Sequence, residues 1–488
     1  MSIPPASEEP CYPQRGGNTA IPYIDGEESM KHIFNKIKRA KSKVWLTMSF
    51  VDINFKIPSF KKSIIEMISK VSQKKNMDFR VLAWRSKVSS GDFEGTKDDF
   101  ELLEKNKCKA KIRWDVNKLG CHHQKIFIID DKIAFVGGIN MDEAHIDTSA
   151  HNRDESRPTH DLFCEIRGPA VRDVIHNFVQ RWNGATERDE EYGSYPQDTK
   201  PGNLPDCPEQ PPQKNEGDIK IQVTRTIPSG VYSSIDDIKH GEYSIRESYL
   251  NAIDNAQRYI YLENQYFFDK VSHYSIIRAL IYAAYRGVKI FVILPADPDF
   301  TKLLSIEFLR EVKNHPNIYV YTLATSNKDN GKSKPKYHYK DVYVHAKLFI
   351  VDDEWYSIGS ANISFQSLRT DSEINVAVWD SDGAKKLRQN LWKEHLEYSA
   401  NHKIQYNQKV IINGKIEGAF EQWWFFARAN NYYRTTKAKA ENRLMPLDLR
   451  KYSLFRRSIG FIKDIPKISK KWLFGLFVGL IEKIRKHT

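Results

Sequence analysis

The sequence predicts an α/β fold made of two pseudo-symmetric α/β sandwich halves with mixed β-sheets, followed by a basic C-terminal helical extension. Three observations predict this fold class. A short polar motif occurs twice at a fixed spacing, the pattern of helices and strands around it is also repeated, and the whole excess of positive charge lies in residues 401–488. Such a repeat indicates an internal duplication in which both halves fold alike.

The two copies of the motif share five polar or glycine positions. Each pair is separated by 222 residues, and the pairs are His123 and His345, Lys125 and Lys347, Asp130 and Asp352, Gly137 and Gly359, and Asn140 and Asn362. In a β-strand, residues two apart lie on the same face, so the histidine and the lysine of each copy point to one side. The repeat also indicates that His123, and not its neighbour His122, is the candidate functional residue, because His122 is matched by Val344.

The segments upstream of each motif alternate between helical and strand patterns. "IFNKIKRAKSKVWLTMSF" from Ile33 and "LNAIDNAQRYIYLENQYF" from Leu250 both contain the end of an amphipathic helix, a turn and an apolar strand. Further helical patterns follow, and buried strands come next in "RVLAW" from Arg80 and "KIFVILPAD" from Lys289. This alternation predicts helices layered on a largely parallel sheet in each half.

Each motif continues into a predicted β-hairpin, which adds antiparallel strands to the sheet. The hairpins are "KIFIIDDKIAFVGG" and "KLFIVDDEWYSIGS", with Asp130 and Asp352 in their turns. Aspartate hydrogen-bonds to nearby backbone in turns, so we expect both residues to hold the hairpins. As members of the repeated motif, they also stay among the candidate catalytic residues.

Proline content separates the two halves. The stretch from Ser194 to Asp218 contains six prolines, which is typical of a linker or a long surface connection. The predicted organisation is a first half at 1–195 with its motif at 117–144, a linker at 196–217, a second half at 218–400 with its motif at 339–366, and an extension at 401–488.

The charge distribution bears on the partners of the protein. Residues 401–488 contain 19 Lys and Arg against 6 Asp and Glu, whereas the rest of the chain contains 56 of each kind. A neutral catalytic region disfavours nucleic acid, whose binding needs a basic groove. A basic, aromatic-rich segment instead favours an anionic membrane surface.

The extension is the predicted membrane-binding element. "FEQWWFFARANNYYR" from Phe420 combines aromatic and charged residues as interfacial segments do, and Phe455, Ile459 and Ile462 follow a helical spacing further on. The longest apolar run, Trp472–Ile481, is shorter than the ~20 residues that a spanning helix needs. We therefore expect a peripheral protein on phospholipid membranes, with an amphipathic helix packed on the core as the alternative.

The remaining composition predicts neither a secretory signal nor a cofactor. "MSIPPASEEPCYPQRGGN" lacks the basic and apolar regions of a signal peptide, so the protein either serves its own cell or is a bacterial protein exported by a signal-less route. Five scattered cysteines without CxxC spacing predict neither a disulfide framework nor a zinc site. We expect a monomer that needs no metal ion.

The duplicated residues suit chemistry on a phosphate group. Two halves related by pseudo-symmetry can place His123 and His345 opposite each other at the interface, where we expect the active site. The paired lysines supply positive charge, and the paired asparagine amides donate hydrogen bonds, to a tetrahedral anion. One imidazole can attack phosphorus while the other protonates the departing oxygen, after which the roles reverse.

The pattern His-x-Lys-x4-Asp-x6-Gly-x-x-Asn, present twice, resembles the phospholipase D superfamily, often called the HKD family, over roughly residues 15 to 400. Four further segments resemble the branch that acts on phosphatidylcholine-type lipids. They are "THDLFCEIRGPAVRDVIHNFVQRWN" from Thr159, "YLENQYFF" from Tyr261, "DSEINVAV" from Asp371 and "LRQNLWKEHL" from Leu387.

The resemblance implies a role for each repeated residue. His123 would be the nucleophile that forms a phosphohistidine, and His345 the general acid and then the general base. The residues that would hold or flank the phosphate are Lys125, Lys347, Asn140, Asn362, Gly137 and Gly359. Asp161 and Glu373, which follow the two asparagines by 21 and 11 residues, resemble the carboxylates that orient the histidines.

The predicted function is therefore a phospholipase D that hydrolyses glycerophospholipids to phosphatidic acid and a free headgroup alcohol, with transfer to other alcohols as a second outcome. Three alternatives stay open. They are an HKD phosphodiesterase acting on nucleic acid, a cardiolipin-synthase-like phosphatidyltransferase, and a catalytically silent membrane scaffold. The neutral catalytic region disfavours the first, and the intact motifs disfavour the last.

Overall fold

The computed structural model describes most of the chain. The described residues are 3–86, 93–153, 157–197, 204, 215–269, 275–298, 302–329, 336–397, 411–413 and 416–452. Most of the predicted linker at 196–217 lies outside these ranges, as does the helical pattern at Phe455, Ile459 and Ile462.

The first half contains eleven strands among its described residues. They are β1 (Arg15–Ile24), β2 (Lys43–Met48), β3 (Lys56–Ile57), β4 (Lys62–Ser63), β5 (Asp78–Trp84), β6 (Lys111–Asp115), β7 (Lys125–Ile129), β8 (Ile133–Gly137), β9 (Thr159–His160), β10 (Leu162–Arg167) and β11 (Ser194–Tyr195). The main sheet has the order β11-β6-β5-β2-β7-β8-β10-β1, in which β2, β5 and β6 are parallel and the other pairs are antiparallel.

The second half repeats this topology. Its strands are β12 (Ile219–Thr226), β13 (Tyr259–Asn264), β14 (Phe267–Phe268), β15 (Lys289–Ile293), β16 (Ile318–Lys328), β17 (Tyr337–Val344), β18 (Lys347–Val351), β19 (Trp355–Gly359), β20 (Ile363–Ser364), β21 (Glu373–Trp379) and β22 (Leu444–Pro446). The order β16-β15-β13-β18-β19-β21-β12 corresponds strand for strand to β6-β5-β2-β7-β8-β10-β1.

Two strand pairs join the halves. β1 pairs with β12 in antiparallel orientation, and β9 pairs with β17 in parallel orientation next to the second motif. The predicted fold class, two α/β halves with mixed sheets, is confirmed. The expectation of largely parallel sheets was too broad, because only three strands of each main sheet are parallel. The motif hairpins and the strand that follows each of them are antiparallel.

Nine α-helices cover the sheets within the described part of the chain. They are α1 (Gly26–Arg39), α2 (Ile64–Ser72), α3 (Lys97–Lys105), α4 (Val171–Asn183), α5 (Ser244–Asn255), α6 (Ile276–Tyr285), α7 (Lys302–Lys313), α8 (Ser381–His395) and α9 (Ala419–Thr436). α2 begins with a capping box of Ser63 and Glu66, and α3 begins with one of Thr96 and Asp99, which satisfy the first N–H groups of each helix.

Alternation along the strands divides the core. In β2, Val44 and Leu46 face α1, α2 and α3, whereas Trp45 faces α4 and stacks on Phe178. In β18, Phe349 faces the outer helices of the second half and Leu348 faces the same central core as Trp45. The two halves therefore share one central hydrophobic core, and each has a separate outer core.

Part of the predicted extension belongs to the second half. β22 extends its sheet by pairing with β16, and the aromatic segment forms α9, with Phe420, Trp423 and Phe426 buried in the central core. The predicted boundary at 401 therefore separates residues that pack together, because the core uses these large side chains. None of the helices that the structure describes is both long and apolar enough to cross a membrane.

Candidate active site

The first motif histidine is held by residues of the second half. His123 lies just before β7, and its Nδ1 is 3.0 Å from Glu373 Oε1 and 3.1 Å from the Ser360 carbonyl oxygen. A backbone carbonyl only accepts hydrogen bonds, so Nδ1 carries the proton and donates it. Ser367 Oγ, 2.6 Å away, donates to the same glutamate, whose side chain is fully buried. The Nε2 atom of His123 is therefore the unprotonated nitrogen of the neutral ring.

The second motif histidine is held by the first half. His345 Nδ1 lies 2.6 Å from Asp161 Oδ2, and its backbone N–H donates to the His160 carbonyl at 2.8 Å. Asp161 follows β9 directly, and its Oδ1 accepts the Leu162 N–H at 2.8 Å. Each histidine thus takes its carboxylate from the opposite half. This crossing fixes both rings through Nδ1 and leaves both Nε2 atoms for chemistry.

The two motif lysines are buried beside the histidines. Lys125 Nζ donates to Ser49 Oγ at 2.9 Å and to the His123 carbonyl at 2.8 Å. Lys347 Nζ donates to Gln265 Oε1 at 3.1 Å and to the carbonyl of His345. The second-half lysine lies close to the first half, since a Cβ added at Gly138 would sit 2.9 Å from its Cδ.

The motif asparagines lie next to these groups. Asn362 Nδ2 donates to Gln265 Oε1 at 3.2 Å, and Asn140 Nδ2 is 3.5 Å from His145 Nε2. The side-chain oxygen of each asparagine is buried and has no hydrogen-bond partner among the described residues. Both amides therefore have hydrogen-bonding capacity left for a ligand.

Burial sets the electrostatics of the site. It lowers the pKa of Lys125 to about 8 and that of Lys347 to about 7, and it raises the pKa of Glu373 to about 7. Burial and then the neighbouring lysines hold the pKa of both histidines well below the ordinary value. The two rings are shifted in the same direction, so a bound phosphate anion is needed to favour protonation of the one that acts as acid.

The two motif aspartates lie away from the histidines, at the hairpin turns. Asp130 and Asp352 follow the far ends of β7 and β18, five residues beyond the motif lysines, or about 17 Å along an extended strand. The Asp130 carboxylate accepts three successive backbone N–H groups, from Lys41, Ser42 and Lys43. Asp352 does the same for the corresponding segment at 257–259. These are the contacts expected of residues that hold the hairpins, and a catalytic role for the two aspartates stays a prediction.

The motif glycines permit close packing of the neighbouring strands. A Cβ at Gly137 would lie 2.4 Å from the Leu162 carbonyl oxygen, and one at Gly359 would lie 2.1 Å from Asn375 Oδ1. Each glycine lets the next strand approach its hairpin. The neighbouring strand therefore fills the space that a side chain would take, and substrate contact by these glycines stays a prediction.

Sequence reasoning missed a third histidine. The ring of His145 lies edge-on to that of His345, with centroids 4.5 Å apart, and its Nδ1 is 2.7 Å from Asp142 Oδ1. Ser367 occupies the corresponding position of the second half. The repeat therefore gave no signal for His145, and this residue makes the two sides of the site chemically different.

A separate group of side chains could hold a metal ion. Asp25, His151, His160 and Glu394 each offer one ligand atom, and these atoms all lie within 4.8 Å of one another. The sequence predicted no such group, because its members are scattered from the start of α1 to the end of α8. This group lies behind Asp161 and not among the motif residues.

The geometry supports displacement at phosphorus. Two neutral histidines with free Nε2 atoms, two buried amines and two asparagine amides are brought together from both halves. A buried nucleophile and a second buried imidazole meet the needs of a two-step reaction with a covalent intermediate.

Comparisons with known proteins agree with this chemistry. A family profile described as "Cardiolipin synthase, PLD-like domain" matches residues 33–156 and 249–395, and one described as "Phospholipase D" matches residues 152–279. Among solved structures, the phosphatidylserine synthase of Haemophilus influenzae Rd KW20 has the same fold, with a TM-score of 0.53 and 15% identity over 85% of this chain and 94% of that one.

Relatives at the sequence level include cardiolipin synthases. Cardiolipin synthase 1 of Staphylococcus epidermidis is 28% identical over 273 residues, which are 56% of this chain and 47% of that protein. Cardiolipin synthase 1 of Staphylococcus aureus is 25% identical over 373 residues, which are 75% of this chain and 65% of that protein. The chain thus spans about half to two thirds of the length of these relatives.

Proposed function

The chain belongs to the phospholipase D superfamily, and from this premise we propose that it is a phosphatidyltransferase that works through a phosphohistidine. The superfamily predicted from the repeated motif is thereby confirmed. The observation that carries the proposal is the crossed pair of contacts, His123 with Glu373 and His345 with Asp161, beside two buried lysines.

The proposed reaction has two steps that use the free Nε2 atoms. In the first, His123 Nε2 attacks the phosphorus of a phospholipid, the bond to the headgroup oxygen breaks, and that oxygen takes a proton from His345 Nε2. In the second, an acceptor alcohol gives its proton to His345 while its oxygen attacks phosphorus, and the bond to His123 breaks. Lys125 and Lys347 offset the negative charge of the phosphate oxygens in both steps.

The acceptor decides between transfer and hydrolysis. Water in the second step would give phosphatidic acid, which is the hydrolase reaction predicted from the sequence. The relatives favour the alternative, because their name, cardiolipin synthase, describes the transfer of a phosphatidyl group to the alcohol of another phospholipid. We therefore propose transfer between phospholipids as the main reaction, and not the phosphatidylcholine-type hydrolysis.

The test offers both acceptors to the protein. Vesicles of phosphatidylglycerol and, separately, of phosphatidylcholine are incubated with the protein, and the lipids are resolved by mass spectrometry. We expect cardiolipin and free glycerol from phosphatidylglycerol, in excess of phosphatidic acid. Phosphatidic acid as the main product from either lipid would instead establish a hydrolase.

Two variants connect the product to the site. His123→Ala removes the nucleophile and should abolish every product, whereas His32→Gln, at an exposed histidine on α1, should leave the rate unchanged. Phosphohistidine hydrolyses in acid, so the wild-type reaction is also quenched with denaturant at alkaline pH, and the His123 peptide is searched for a phosphatidyl adduct by mass spectrometry. Full activity of His123→Ala would contradict the proposal.

We further propose that the exposed face of α9 contacts the membrane. Trp424, Phe425 and Tyr432 are 50%, 61% and 65% exposed on this helix, although aromatic side chains of this size are usually buried. Arg428 lies on the same face, with its guanidinium 4.7 Å from the Trp424 ring. Aromatic residues with adjacent positive charge are typical of segments at the surface of an anionic bilayer.

Vesicle sedimentation tests this surface. The double variant Trp424→Ser/Phe425→Ser should bind vesicles containing phosphatidylglycerol several-fold more weakly than the wild type. Tyr285→Ser, at a position 75% exposed on α6, is the control for loss of an exposed aromatic residue elsewhere. Equal binding of all three proteins would show that α9 does not contact the membrane.

A further inference from the structure

Four buried side chains from both halves converge beside the active site. Asp25, His151 and His160 come from the first half, and Glu394 comes from α8 of the second. Asp25 Oδ1 is 2.9 Å from His160 Nδ1, and Glu394 Oε1 is 3.2 Å from both His160 Nδ1 and His151 Nε2. The remaining close approach, from Asp25 Oδ2 to His151 Nε2, is 3.8 Å.

These separations match a tetrahedral metal site. Zinc binds histidine nitrogen and carboxylate oxygen at about 2.0–2.2 Å, which places neighbouring ligand atoms of a tetrahedron about 3.3–3.6 Å apart. Four of the six separations, at 2.9–3.8 Å, lie on both sides of this range, and all four ligand atoms lie within 4.8 Å of one another. Two nitrogen and two oxygen ligands suit Zn²⁺, whereas Ca²⁺ and Mg²⁺ prefer oxygen alone.

Both histidines carry the support that metal-ligating histidines have. His151 Nδ1 lies 3.1 Å from Asp147 Oδ2, and His160 Nε2 lies 2.7 Å from Glu263 Oε2. In each case the nitrogen that does not face the group is bonded to a buried carboxylate. This arrangement fixes the tautomer and raises the basicity of a ligand, and it occurs here twice.

One carboxylate oxygen among these four side chains, Asp25 Oδ2, has no hydrogen-bond partner among the described residues. Asp25 is fully buried, and its Oδ2 faces the ring of His151. A buried carboxylate oxygen without a partner is costly, and coordination of a cation would satisfy it. The two carboxylates, Asp25 and Glu394, also offset the charge of a divalent ion, as a buried site requires.

We propose that Asp25, His151, His160 and Glu394 form a structural Zn²⁺ site that ties the two halves together. Of the four ligands, Glu394 lines a cleft of about 770 Å³, together with Ala150 and Arg443, and the ion would enter from this side. His160 directly precedes Asp161, and its carbonyl accepts the N–H of His345, so the ion would also fix the carboxylate that orients this histidine.

Metal analysis of the full chain tests the proposal. Protein produced without a polyhistidine tag is dialysed against metal-free buffer, and its zinc is measured by inductively coupled plasma mass spectrometry. We expect about one Zn²⁺ per chain in the wild type. His151→Gln and Glu394→Gln should lose the ion, and Asp147→Asn should bind it about 10–100-fold more weakly because a supporting carboxylate is gone.

The matched control is His32→Gln, at an exposed histidine bonded to Glu28, which should keep the ion. Since a ligand variant could fail to fold, the wild type is also stripped of metal and titrated with Co²⁺. A tetrahedral site gives strong visible absorption bands, which Zn²⁺ should remove by displacement.

Two results would overturn the proposal. The first is wild-type protein that holds no zinc and gives no tetrahedral Co²⁺ spectrum, which would make the group a hydrogen-bonded network only. The second is folded His151→Gln and Glu394→Gln that keep the same zinc content, which would place the ion elsewhere. The proposal does not rest on the proposed function, since metal content is measured without a lipid substrate.

Discussion

Glu373 provides the sharpest test of the site, because it touches a histidine of the other half. Its carboxylate accepts the Nδ1 proton of His123 at 3.0 Å and hydrogen bonds from the hydroxyls of Ser360 and Ser367. Glu373→Gln keeps the size of the side chain but replaces one oxygen with an NH₂ group. An NH₂ group turned toward His123 would donate to Nδ1 in competition with the Ser360 carbonyl oxygen, which only accepts, and would shift the ring toward the form protonated at Nε2.

The size of the effect follows from the tautomer. A ring protonated at Nε2 cannot attack phosphorus, so kcat should fall by about 10²–10⁴-fold, which corresponds to about 3–5 kcal/mol of barrier. KM should change little, because Lys125 and Lys347 still hold the phosphate. The free energy of unfolding should fall by about 1–3 kcal/mol, since one serine hydroxyl would face a donor.

The matched control is Asp371→Asn, two residues upstream. Asp371 is half-buried, and its Oδ1 accepts the Cys121 N–H at 2.9 Å. It makes no hydrogen bond to His123 among the described contacts, so its amide leaves the ring of His123 unchanged. We expect this variant to keep most of its activity.

Two assays read the outcome. Phosphatidyl transfer on phosphatidylglycerol vesicles gives kcat and KM, and ¹⁵N NMR of the histidine side chains reports which ring nitrogen of His123 carries the proton, without any substrate. Glu373→Gln with wild-type kcat and an Nδ1-protonated ring would refute the idea that the opposite half orients the nucleophile.

Three further predictions test the lysines, the hairpin turns and the glycines. Burial lowers the pKa of Lys347 to about 7, so the phosphate should bind best below that pKa and kcat/KM should fall as the pH rises above about 7–8. Lys347→Arg should move this fall in kcat/KM to higher pH. A pH profile of kcat/KM that stays flat to pH 10 would contradict the role of Lys347. Partial burial raises the pKa of Asp130, but the three backbone N–H donors outweigh this effect and hold the pKa below the ordinary value. The carboxylate therefore stabilises the fold fully above the pKa of the unfolded chain, and this stabilisation is lost as the pH falls through the pKa of the folded protein. Asp130→Asn should therefore lower the free energy of unfolding by about 1 kcal/mol at pH 7, by denaturant titration, with unchanged kcat and with stabilities that converge in acid. Gly359→Ala should lower the melting temperature by several degrees because its Cβ would overlap Asn375. The control Gly16→Ala, whose Cβ would have nothing within 4 Å, should keep the wild-type melting temperature. Equal melting temperatures of the two variants would show that the strand containing Asn375 can move to accommodate the methyl group.

The repeat in the sequence was sufficient to find the motif histidines, lysines and asparagines, because chemistry was duplicated along with the fold. It could not show that the carboxylates are crossed. An offset of 222 residues relates the two halves, but it does not say which half supplies a partner to a given histidine. Which half supplies the carboxylate depends on how β21 and the segment at Asp161 are positioned in the folded chain.

Residues without a counterpart in the other half could not be found from the repeat. His145 corresponds to Ser367, and the four proposed zinc ligands fall in unrelated segments. The glycines and turn aspartates recur for a second reason. In both copies the hairpin needs a close approach of the next strand and a capped turn, so recurrence alone does not separate chemistry from structure.

The crossed contacts make the interface part of the catalytic site. His123 without Glu373, or His345 without Asp161, would be a buried imidazole with no carboxylate to fix its tautomer, so neither half can hold a complete site alone. Several further contacts join the two halves in this region. Strands β9 and β17 pair beside His345, α4 and α8 share the central core, and His160 bonds Glu263 across the interface. A zinc ion bound by three residues of one half and Glu394 of the other would act at the same place, one residue from Asp161. Because each histidine takes its carboxylate from the opposite half, a displacement of about 1 Å between the halves would disturb the orientation of both rings.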